Sequence, residues 1–455
     1  MKRIDFENGN IVSNILKAAL PMLVAQIMSL LYNIVDRVYI ARIPDVGTTA
    51  LGAVGLCFPI IVIITAFSNL FGTGGAPIFS IERGKGNHEK AGLLMNTSFT
   101  LLALCAVILM IAGLLFARPI LVLFGASDAG LVYAYPYLMI YLLGTFPSMV
   151  ATGMNPFINA QGYATTGMTS VIIGAVANLL LDPLFIFVFG LGIKGAAIAT
   201  IISQTLSAAF VLYFLHYKAE YRIRFLSKTE LTSCGEDAKN IVSLGTAGFI
   251  MQLTNSLVTI CANNVLSVTG GDVYISVMTI ISSVRQMVET PIYAITEGSS
   301  PIISYNYGAR NAERVKGAFG LLLKASLIYS TLIWLFVQVV PQVFAGMFTS
   351  DAELLSFTSR ALRIYMACVF MFGIQISCQM AFNSLGKAIS SIVVAVMRKF
   401  VLLIPLIYIM PHIFTTDQTM AVYMAEPVAD FIAVTFTAIL FSVQFKKALA
   451  AIRLS

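Results

Sequence analysis

Twelve long apolar stretches, separated by charged residues, glycine or proline, dominate this 455-residue chain. A helix needs about 20 apolar residues to cross the hydrocarbon core of a bilayer. Every stretch is near or above that length; by residue number they are 14–40, 50–80, 92–116, 131–158, 168–190, 195–217, 241–268, 273–304, 318–346, 359–385, 389–411 and 419–445. Only 11% of the residues are charged, whereas soluble domains carry about a quarter. The sequence therefore predicts an all-α polytopic membrane protein of twelve transmembrane helices.

The polar content excludes several other classes of protein. The net charge of +7 comes from Lys and Arg dispersed between apolar runs, not from a basic stripe, so we expect no nucleic-acid partner. The six cysteines form no CxxC pair and the three histidines share no ligand spacing, so neither disulfides nor a zinc site is predicted. Residues 1–14 are polar and partly acidic, unlike a secretory signal, and the first apolar run is interpreted as a retained span.

The distribution of Lys and Arg predicts the orientation in the membrane. With the N-terminus inside, the cytoplasmic segments hold 18 of these residues and the opposite segments hold 6. Cytoplasmic loops of membrane proteins carry the excess of positive charge. Both termini are therefore predicted to be cytoplasmic.

The chain repeats itself at an offset of 224 residues. Pro77-Ile-Phe-Ser80 returns as Pro301-Ile-Ile-Ser304 (301 − 77 = 224). The same ungapped register pairs identical residues further along: Gly84 with Gly308, Asn87 with Asn311, Glu89 with Glu313, Phe124 with Phe348, Tyr141 with Tyr365, Asn159 with Asn383 and Gly162 with Gly386. The first spans need a small slip, for instance Gln26 onto Gln252. Two homologous halves are therefore indicated.

Each half holds six spans and begins inside, which makes the halves parallel repeats. Transporters use such repeats to build two bundles that rock about a central site. The only long polar stretch between the halves is a predicted cytoplasmic linker, 218–239. The predicted domains are an N-terminal six-helix bundle (1–217), this linker, and a C-terminal six-helix bundle (240–455).

Four local patterns resemble the multidrug and toxic compound extrusion (MATE) family. They are Pro21 followed by Tyr32-Asn-Ile-Val-Asp36, Asn178-Leu-Leu-Leu-Asp182-Pro183, Gly192-Ile-Lys-Gly-Ala-Ala-Ile-Ala-Thr200, and Asn306-Tyr-Gly-Ala309. Together and in this order they are specific, and the resemblance covers essentially the whole chain. It is to the bacterial NorM/DinF branch, with the MepA-like group within it. The resemblance implies a bacterial plasma (inner) membrane protein whose first helix bends at Pro21.

The resemblance also implies a cation-coupling site at Asp36, Asn178 and Asp182. The residues support it independently, because Asn178 and Asp182 are four apart and share one face of a helix. Carboxylate and amide oxygens are hard ligands suited to Na+, and crowded carboxylates favour a proton instead. Two alternatives stay open. Asp36 could be an interfacial carboxylate paired with Arg37 or Arg42, and the Asn–Asp pair could be a polar clamp between helices.

Charges in the eighth span are the candidates for substrate binding, since a charge inside the bilayer is costly and usually functional. Glu297 has no basic residue three or four positions away. We expect it, together with Glu289, to bind the positive end of an organic cation. Arg285 lies four residues before Glu289, so the alternative is that these two neutralise each other.

The twelfth span carries Glu426 and Asp430, four residues apart around Pro427. They are interpreted either as a second acidic site or as the aqueous end of a kinked helix. The basic residues of these late spans are expected to snorkel or to pair: Lys324, Arg398 and Lys399.

The sequence therefore predicts a secondary antiporter that exports organic, mainly cationic, compounds in exchange for H+ or Na+, with no other cofactor, working as a monomer in lipid. One alternative is a lipid-linked saccharide flippase of the same superfamily, for which a basic cavity is expected. The other is an integral membrane enzyme, which would need a motif such as HExxH or GxSxG; neither occurs. GxxxxGKS is also missing, which disfavours an ATP-driven pump. The substrate and the choice between H+ and Na+ are not encoded in any pattern.

Overall fold

The computed structural model describes residues 3–124, 126, 128–270, 272–348 and 351–454. Nearly all of these residues are helical, and no strand occurs among them. In a bilayer each backbone N–H and C=O must find its partner within the protein, which helices achieve locally. The predicted all-α class is confirmed.

The helices of the first half of the described chain are α1 (Ile11–Ala41), α2 (Gly47–Gly84), α3 (His88–Leu123), α4 (Asp128–Leu143), α5 (Thr145–Gly153), α6 (Asn155–Ala160), α7 (Ala164–Pro183) and α8 (Gly192–Tyr213). π-helical turns extend two of them, at Leu184–Val188 after α7 and at Phe214–Lys218 after α8.

The helices that follow are α9 (Lys228–Ser233), α10 (Gly235–Thr269), α11 (Asp272–Gly308), α12 (Ala312–Val339), α13 (Pro341–Ala345), α14 (Ala352–Tyr365), α15 (Phe372–Ser384), α16 (Ala388–Val396), α17 (Ile404–Ile413) and α18 (Gln418–Leu454). A 3₁₀ turn, Val369–Met371, precedes α15, and a π-helical segment, Met397–Leu403, joins α16 to α17.

Nine helical segments of the described chain are long and apolar enough to cross a membrane, or 11 when each of two bent pairs is taken as one span. The bent pairs are Gly130–Leu143 with Thr145–Ala160, at 58°, and Ala352–Tyr365 with Val369–Ser384, at 43°. The remaining long helix is α11, whose 37 residues include Arg285, Glu289 and Glu297. With α11 included, the segments coincide with the predicted spans.

The chain forms two compact units. The first contains the described residues up to Asp5 together with Leu20–Phe249, and the second contains Phe6–Ala19 together with the described residues from Ile250 onward. The division therefore passes through α1 and through α10, the first long helix of each repeat. Each unit has its own cluster of buried apolar side chains.

Glycines related by the repeat permit the same close helix contact in both units. A Cβ at Gly74 of α2 would lie 2.2 Å from the carbonyl oxygen of Ile241, and a Cβ at Gly298 of α11 would lie 2.7 Å from Cα of Ala19. Real Cβ atoms do not approach other atoms so closely, so only glycine permits either contact. Gly74 and Gly298 stand at the repeat offset (298 − 74 = 224).

The chain between α8 and α9 is held to the first unit through its backbone. The Tyr221 N–H donates to Gln161 Oε1 at 3.1 Å, and the Arg224 N–H donates to Asn96 Oδ1 at 2.9 Å. Because these main-chain N–H groups are hydrogen-bonded to buried side chains of the first unit, this part of the predicted linker is held against that unit.

Candidate functional site

Asp36, Asn178 and Asp182 lie together inside the first unit. Asn178 and Asp182 are one turn apart on α7, 2% and 0% exposed, and Asn178 Nδ2 donates to Asp182 Oδ1 at 3.2 Å. Asp36, half-buried on α1, brings its carboxyl group into hydrogen-bonding contact with that of Asp182. Two helices thus bring together the three side chains that are predicted to form the cation-coupling site.

Each of these side chains keeps one buried oxygen without a hydrogen-bond donor from the described residues: Asp36 Oδ1, Asn178 Oδ1 and Asp182 Oδ2. A buried acceptor left without a donor costs about 1–3 kcal/mol. Two carboxylates in contact also repel each other when both are ionised. The arrangement is therefore chemically suited to take up positive charge, either as a proton shared between the carboxyl groups or as a small cation.

The residues that the structure describes form no metal site built only from His, Cys, Asp and Glu. No group of three or more such residues in the described part of the chain could hold a metal ion. Sodium would therefore have to use the Asn178 amide oxygen beside the two carboxylates, as hard cations commonly do. The three oxygens without donors fit that donor set.

Two tyrosines of α4 form an aromatic wall beside the site. Tyr137 and Tyr141 are buried and their ring centroids lie 6.3 Å apart. Tyr137 is within electrostatic range of the Asp36 and Asp182 carboxyl groups, and the Tyr141 hydroxyl hydrogen-bonds to Gln204. Buried aromatic bodies keep the local dielectric low, which strengthens each electrostatic interaction in the site.

The local backbone is irregular next to Asp182. Pro183 follows it and cannot donate a helical hydrogen bond, and the chain then continues as the π-helical turn Leu184–Val188. π-helical turns within helices often occur at functional sites. In α1, Pro21 lies inside a helix that is continuous from Ile11 to Ala41, and the bend there stays a prediction.

Asp36 does not pair with a neighbouring arginine. The ion pairs formed among the described residues do not include it. The Arg37 guanidinium instead lies over the ring of Phe58, 5.4 Å from its centroid. The interfacial ion pair considered from the sequence is therefore not formed in this structure.

The candidate residues of the eighth span lie along one stripe of α11. Arg285, Glu289, Tyr293 and Glu297 follow at intervals of four residues, which keeps them on neighbouring turns of one face. Arg285 Nε donates to Glu289 Oε1, so these two residues do neutralise each other. Glu297 is half-buried and lies within electrostatic range of Tyr293.

Glu426 and Asp430 of α18 are buried and belong to a mixed-charge cluster. Arg398 Nη2 lies 3.0 Å from Glu426 Oε1 and 2.7 Å from Asp430 Oδ1. Arg285 also reaches both, with Nη1 3.0 Å from Glu426 Oε1 and Nη2 3.0 Å from Asp430 Oδ2. Both interpretations of Glu426 and Asp430 from the sequence, a second acidic site or the aqueous end of a kinked helix, omit these two arginines. The expectation that Arg398 pairs is confirmed, while Lys324 is exposed.

Several members of these sites were not singled out from the sequence. Tyr137, Tyr141 and Gln204 surround the first, and Phe372 lies 5.2 Å from the Arg285 guanidinium and 5.1 Å from that of Arg398. The two tyrosines follow Pro136 and are four residues apart, so the sequence could have indicated that they share one face of a helix. Phe372 could not be singled out in this way, because buried phenylalanines are common throughout the chain.

The MatE family model matches this chain twice, over residues 21–184 and 247–409. The two matches begin 226 residues apart (247 − 21), which is the slipped register that aligns Gln26 with Gln252. The internal repeat inferred from the sequence is thereby confirmed.

Two bacterial proteins are similar to this chain along nearly their whole length. An FAD transporter of Shewanella oneidensis is 26% identical over 428 residues, covering 91% of each chain. The multidrug export protein MepA of Staphylococcus haemolyticus is 24% identical over 432 residues, covering 94% of this chain and 93% of the relative.

Solved structures show the same fold. A MATE protein in complex with MaL6 matches with a TM-score of 0.90 at 22% identity, over 100% of both chains. A MOP superfamily transporter from Pyrococcus furiosus, described as having a binding pocket of reversed polarity, also matches with a TM-score of 0.90 at 22% identity, over 98% of this chain and 99% of that one. The predicted twelve-helix fold with an internal repeat is confirmed.

Proposed function

Because this chain belongs to the MatE family of multi-span membrane transporters, we propose that it is a secondary antiporter that exports organic compounds in exchange for protons or sodium ions. Of the cargo classes, we propose organic cations. The MepA relative, a multidrug export protein, supports drug-like cargo.

The observation that carries the antiport proposal is the set of three buried oxygens without donors at Asp36, Asn178 and Asp182. Buried oxygens of this kind are stable only when a proton or a cation binds to them. The occupancy of the site by a proton or by sodium therefore depends on the concentration of that ion at the site. An antiporter needs a site whose occupancy follows the driving gradient. The polar-clamp alternative has the same geometry but no need of ionisable groups, and that difference makes the two separable.

We propose that the cargo cation is bound on α11 at Glu297. Glu289 is the second candidate; its carboxylate accepts from Arg285, and a cargo cation bound there would compete with that guanidinium. Tyr293 lies between Glu289 and Glu297 on the same stripe of α11, and its aromatic ring favours the binding of a cation.

A second candidate cargo is a flavin nucleotide, which is anionic. The similarity to an FAD transporter over 91% of the chain supports it. The buried arginines Arg285 and Arg398 are the groups that would favour an anion, although both are already paired with carboxylates. Parallel assays with a cationic dye and with FAD separate the two cargo classes.

We further propose that the protein works as a monomer with both termini in the cytoplasm, with bundles at 1–217 and 240–455 joined by the linker 218–239. The 18-to-6 distribution of Lys and Arg supports the orientation.

The test uses Asp36→Asn and Asp182→Asn, which keep side-chain size and remove the ionisable group. Asp128→Asn, an exposed carboxylate of α4 in the same unit, is the matched control. Purified variants in proteoliposomes are given a pH gradient or a sodium gradient separately, and dye transport is followed. We expect both site variants to lose gradient-driven transport at unchanged abundance, and the gradient that drives the wild type identifies the ion. Normal transport by both site variants would favour the polar clamp.

A further inference from the structure

Six ionisable side chains cluster inside the second unit: Glu289, Glu426, Asp430, Arg285, Arg398 and Lys399. Glu289 is 16% exposed and the other five are at most 8% exposed. Ionisable groups within membrane spans are costly and usually functional. Replacing buried ion pairs by apolar residues is often neutral or stabilising, so stability is a weak reason for so many charges.

The two arginines form ion pairs with all three carboxylates of the cluster. Arg285 contacts Glu289, Glu426 and Asp430, and Arg398 contacts Glu426 and Asp430. Both guanidiniums also lie against the Phe372 ring. Guanidinium groups do not lose their proton in proteins. The arginines are therefore the permanent positive charges of the cluster.

Lys399 belongs to the cluster but touches none of its carboxylates. It is 8% exposed, and no acceptor among the described residues lies within hydrogen-bonding or ion-pairing distance of its Nζ. The residue lies on the π-helical segment Met397–Leu403, directly after Arg398. The Nζ atom itself is not fully enclosed. An ammonium in this largely buried position, without an acceptor from the protein, is less stable than one on the surface, whereas a neutral amine carries no such cost.

The charge balance gives Lys399 a specific significance. Three carboxylates against two guanidiniums leave one negative charge, and only the ammonium of Lys399 can balance it from within the cluster. Loss of the lysine proton would therefore leave a buried site with one uncompensated negative charge. A cation could then replace the proton at no change in net charge.

The charged groups that interact electrostatically with Lys399 lie on α11, on α18 and on its own segment. α11 contributes Arg285 and Glu289, α18 contributes Glu426 and Asp430, and Arg398 is its chain neighbour. α16 has no charged residue, and the titratable residues of α17, Tyr408 and His412, are exposed.

We propose that Lys399 is a proton-exchange site in the second unit and a second position, besides Glu297, at which the positive end of an organic cation binds as the lysine releases its proton. The exchange conserves charge: R–NH3+ becomes R–NH2, the proton leaves to water, and the cargo cation provides the positive charge that the cluster requires. The site would lie beside the α11 stripe that carries Glu289. This inference rests on the proposed antiport function and adds a second coupling group to it.

Proton binding by the purified, unbuffered protein tests the proposal without any cargo. The protein is titrated from about pH 9 to about pH 6, a range in which exposed lysines stay protonated. Lys399→Met has no ionisable group and Lys399→Arg a permanent charge, so each should bind up to one proton fewer than the wild type. Lys324→Met and Lys324→Arg, at an exposed lysine of the same unit, should bind as many as the wild type.

Cargo-induced proton release is the second measurement, with tetraphenylphosphonium as the probe. Its addition should release fewer protons from Lys399→Met than from the wild type. Lys399→Arg should bind the probe about tenfold or more weakly, because a fixed positive charge stands where the cargo cation must lie.

Equal proton uptake by the wild type and both Lys399 variants would overturn the proposal. So would a failure of both variants to fold, since that would assign Lys399 to the core. The proposed antiport site fails separately: if Asp36→Asn and Asp182→Asn transport normally while the Lys399 variants lose proton release, the first-unit site is wrong and this one stands.

Discussion

Lys90 and Arg314 occupy equivalent positions in the two repeats (314 − 90 = 224), and each anchors the segment that leads into α10 or α1. Lys90 Nζ lies 2.6 Å from Asp237 Oδ1, just inside α10. Arg314 Nη2 donates to the carbonyl oxygens of Phe6, at 3.1 Å, and Gly9, at 2.8 Å, just before α1. The position is common to both repeats, but one contact is an ion pair and the other a set of hydrogen bonds to the backbone.

Lys90→Met should therefore destabilise the first unit by leaving the Asp237 carboxylate, 7% exposed, without its cation. We expect about 1–3 kcal/mol, towards the lower end because the Lys90 side chain is 40% exposed and the pair is partly screened. The measurement is thermal unfolding in detergent. Lys85→Met, which removes an exposed pair with Glu82, is the control and should cost about 0–1 kcal/mol. Equal small effects of both substitutions would contradict the anchoring role.

The short helix α9 in the linker should lose its N-terminal cap in acid. Arg224 donates to the Glu230 carboxylate at 2.6 and 2.7 Å and the Ser227 N–H donates at 2.8 Å, which holds the pKa of Glu230 far below its ordinary value. A depressed folded-state pKa stabilises the fold above the unfolded pKa of about 4.3, and that contribution is lost as the pH falls through the folded value. The protection of the amides of residues 228–233 against exchange, corrected for the intrinsic pH effect on exchange rates, should be high near neutrality and lower below about pH 4.

Glu230→Gln provides the control for that pH dependence. The variant cannot ionise, so its exchange in α9, corrected for the intrinsic pH effect, should be fast and independent of pH. An unaltered pH profile in Glu230→Gln would assign the change to another group.

Glu297→Gln should change the choice of cargo. If the carboxylate binds the positive end of organic cations, the variant should lose export of monovalent and divalent cationic dyes by about tenfold or more, while neutral compounds are affected little. Dye efflux from energised cells or proteoliposomes measures this, with Glu353→Gln, an exposed carboxylate of α14, as the control. Equal loss for every compound would indicate a role in coupling or folding, and no loss for any would remove Glu297 from the cargo site.

The orientation in the membrane can be tested at two exposed lysines. In a background without the six native cysteines, Lys228→Cys in α9 should resist an impermeant maleimide applied to intact cells, because the linker is predicted to be cytoplasmic. Lys194→Cys, which the same distribution of Lys and Arg places on the outer side, should be labelled readily. If Lys228→Cys were labelled and Lys194→Cys were not, the count of Lys and Arg would have assigned the wrong side of the membrane as cytoplasmic.

Local features of the sequence were sufficient for the spans, the repeat and one half of the candidate cation site. The length of an apolar run determines which segments can be helices across a bilayer. α11 is long enough to be predicted as a span although it contains charged residues. The i, i+4 spacing of Asn178 and Asp182 places them on one face of any helix, and Arg285 pairs with Glu289 for the same reason. These relationships depend only on helix periodicity, which the sequence contains directly.

Contacts between distant segments were decided by tertiary packing. Asp36 meets Asp182 from another helix, Arg285 reaches Asp430 across 145 residues, and Lys90 reaches Asp237 across 147. Only the packing of whole helices shows that Arg398 contacts carboxylates while its neighbour Lys399 contacts none of them. Periodicity orders side chains along one helix, but which faces meet depends on the shapes and volumes of all the helices together.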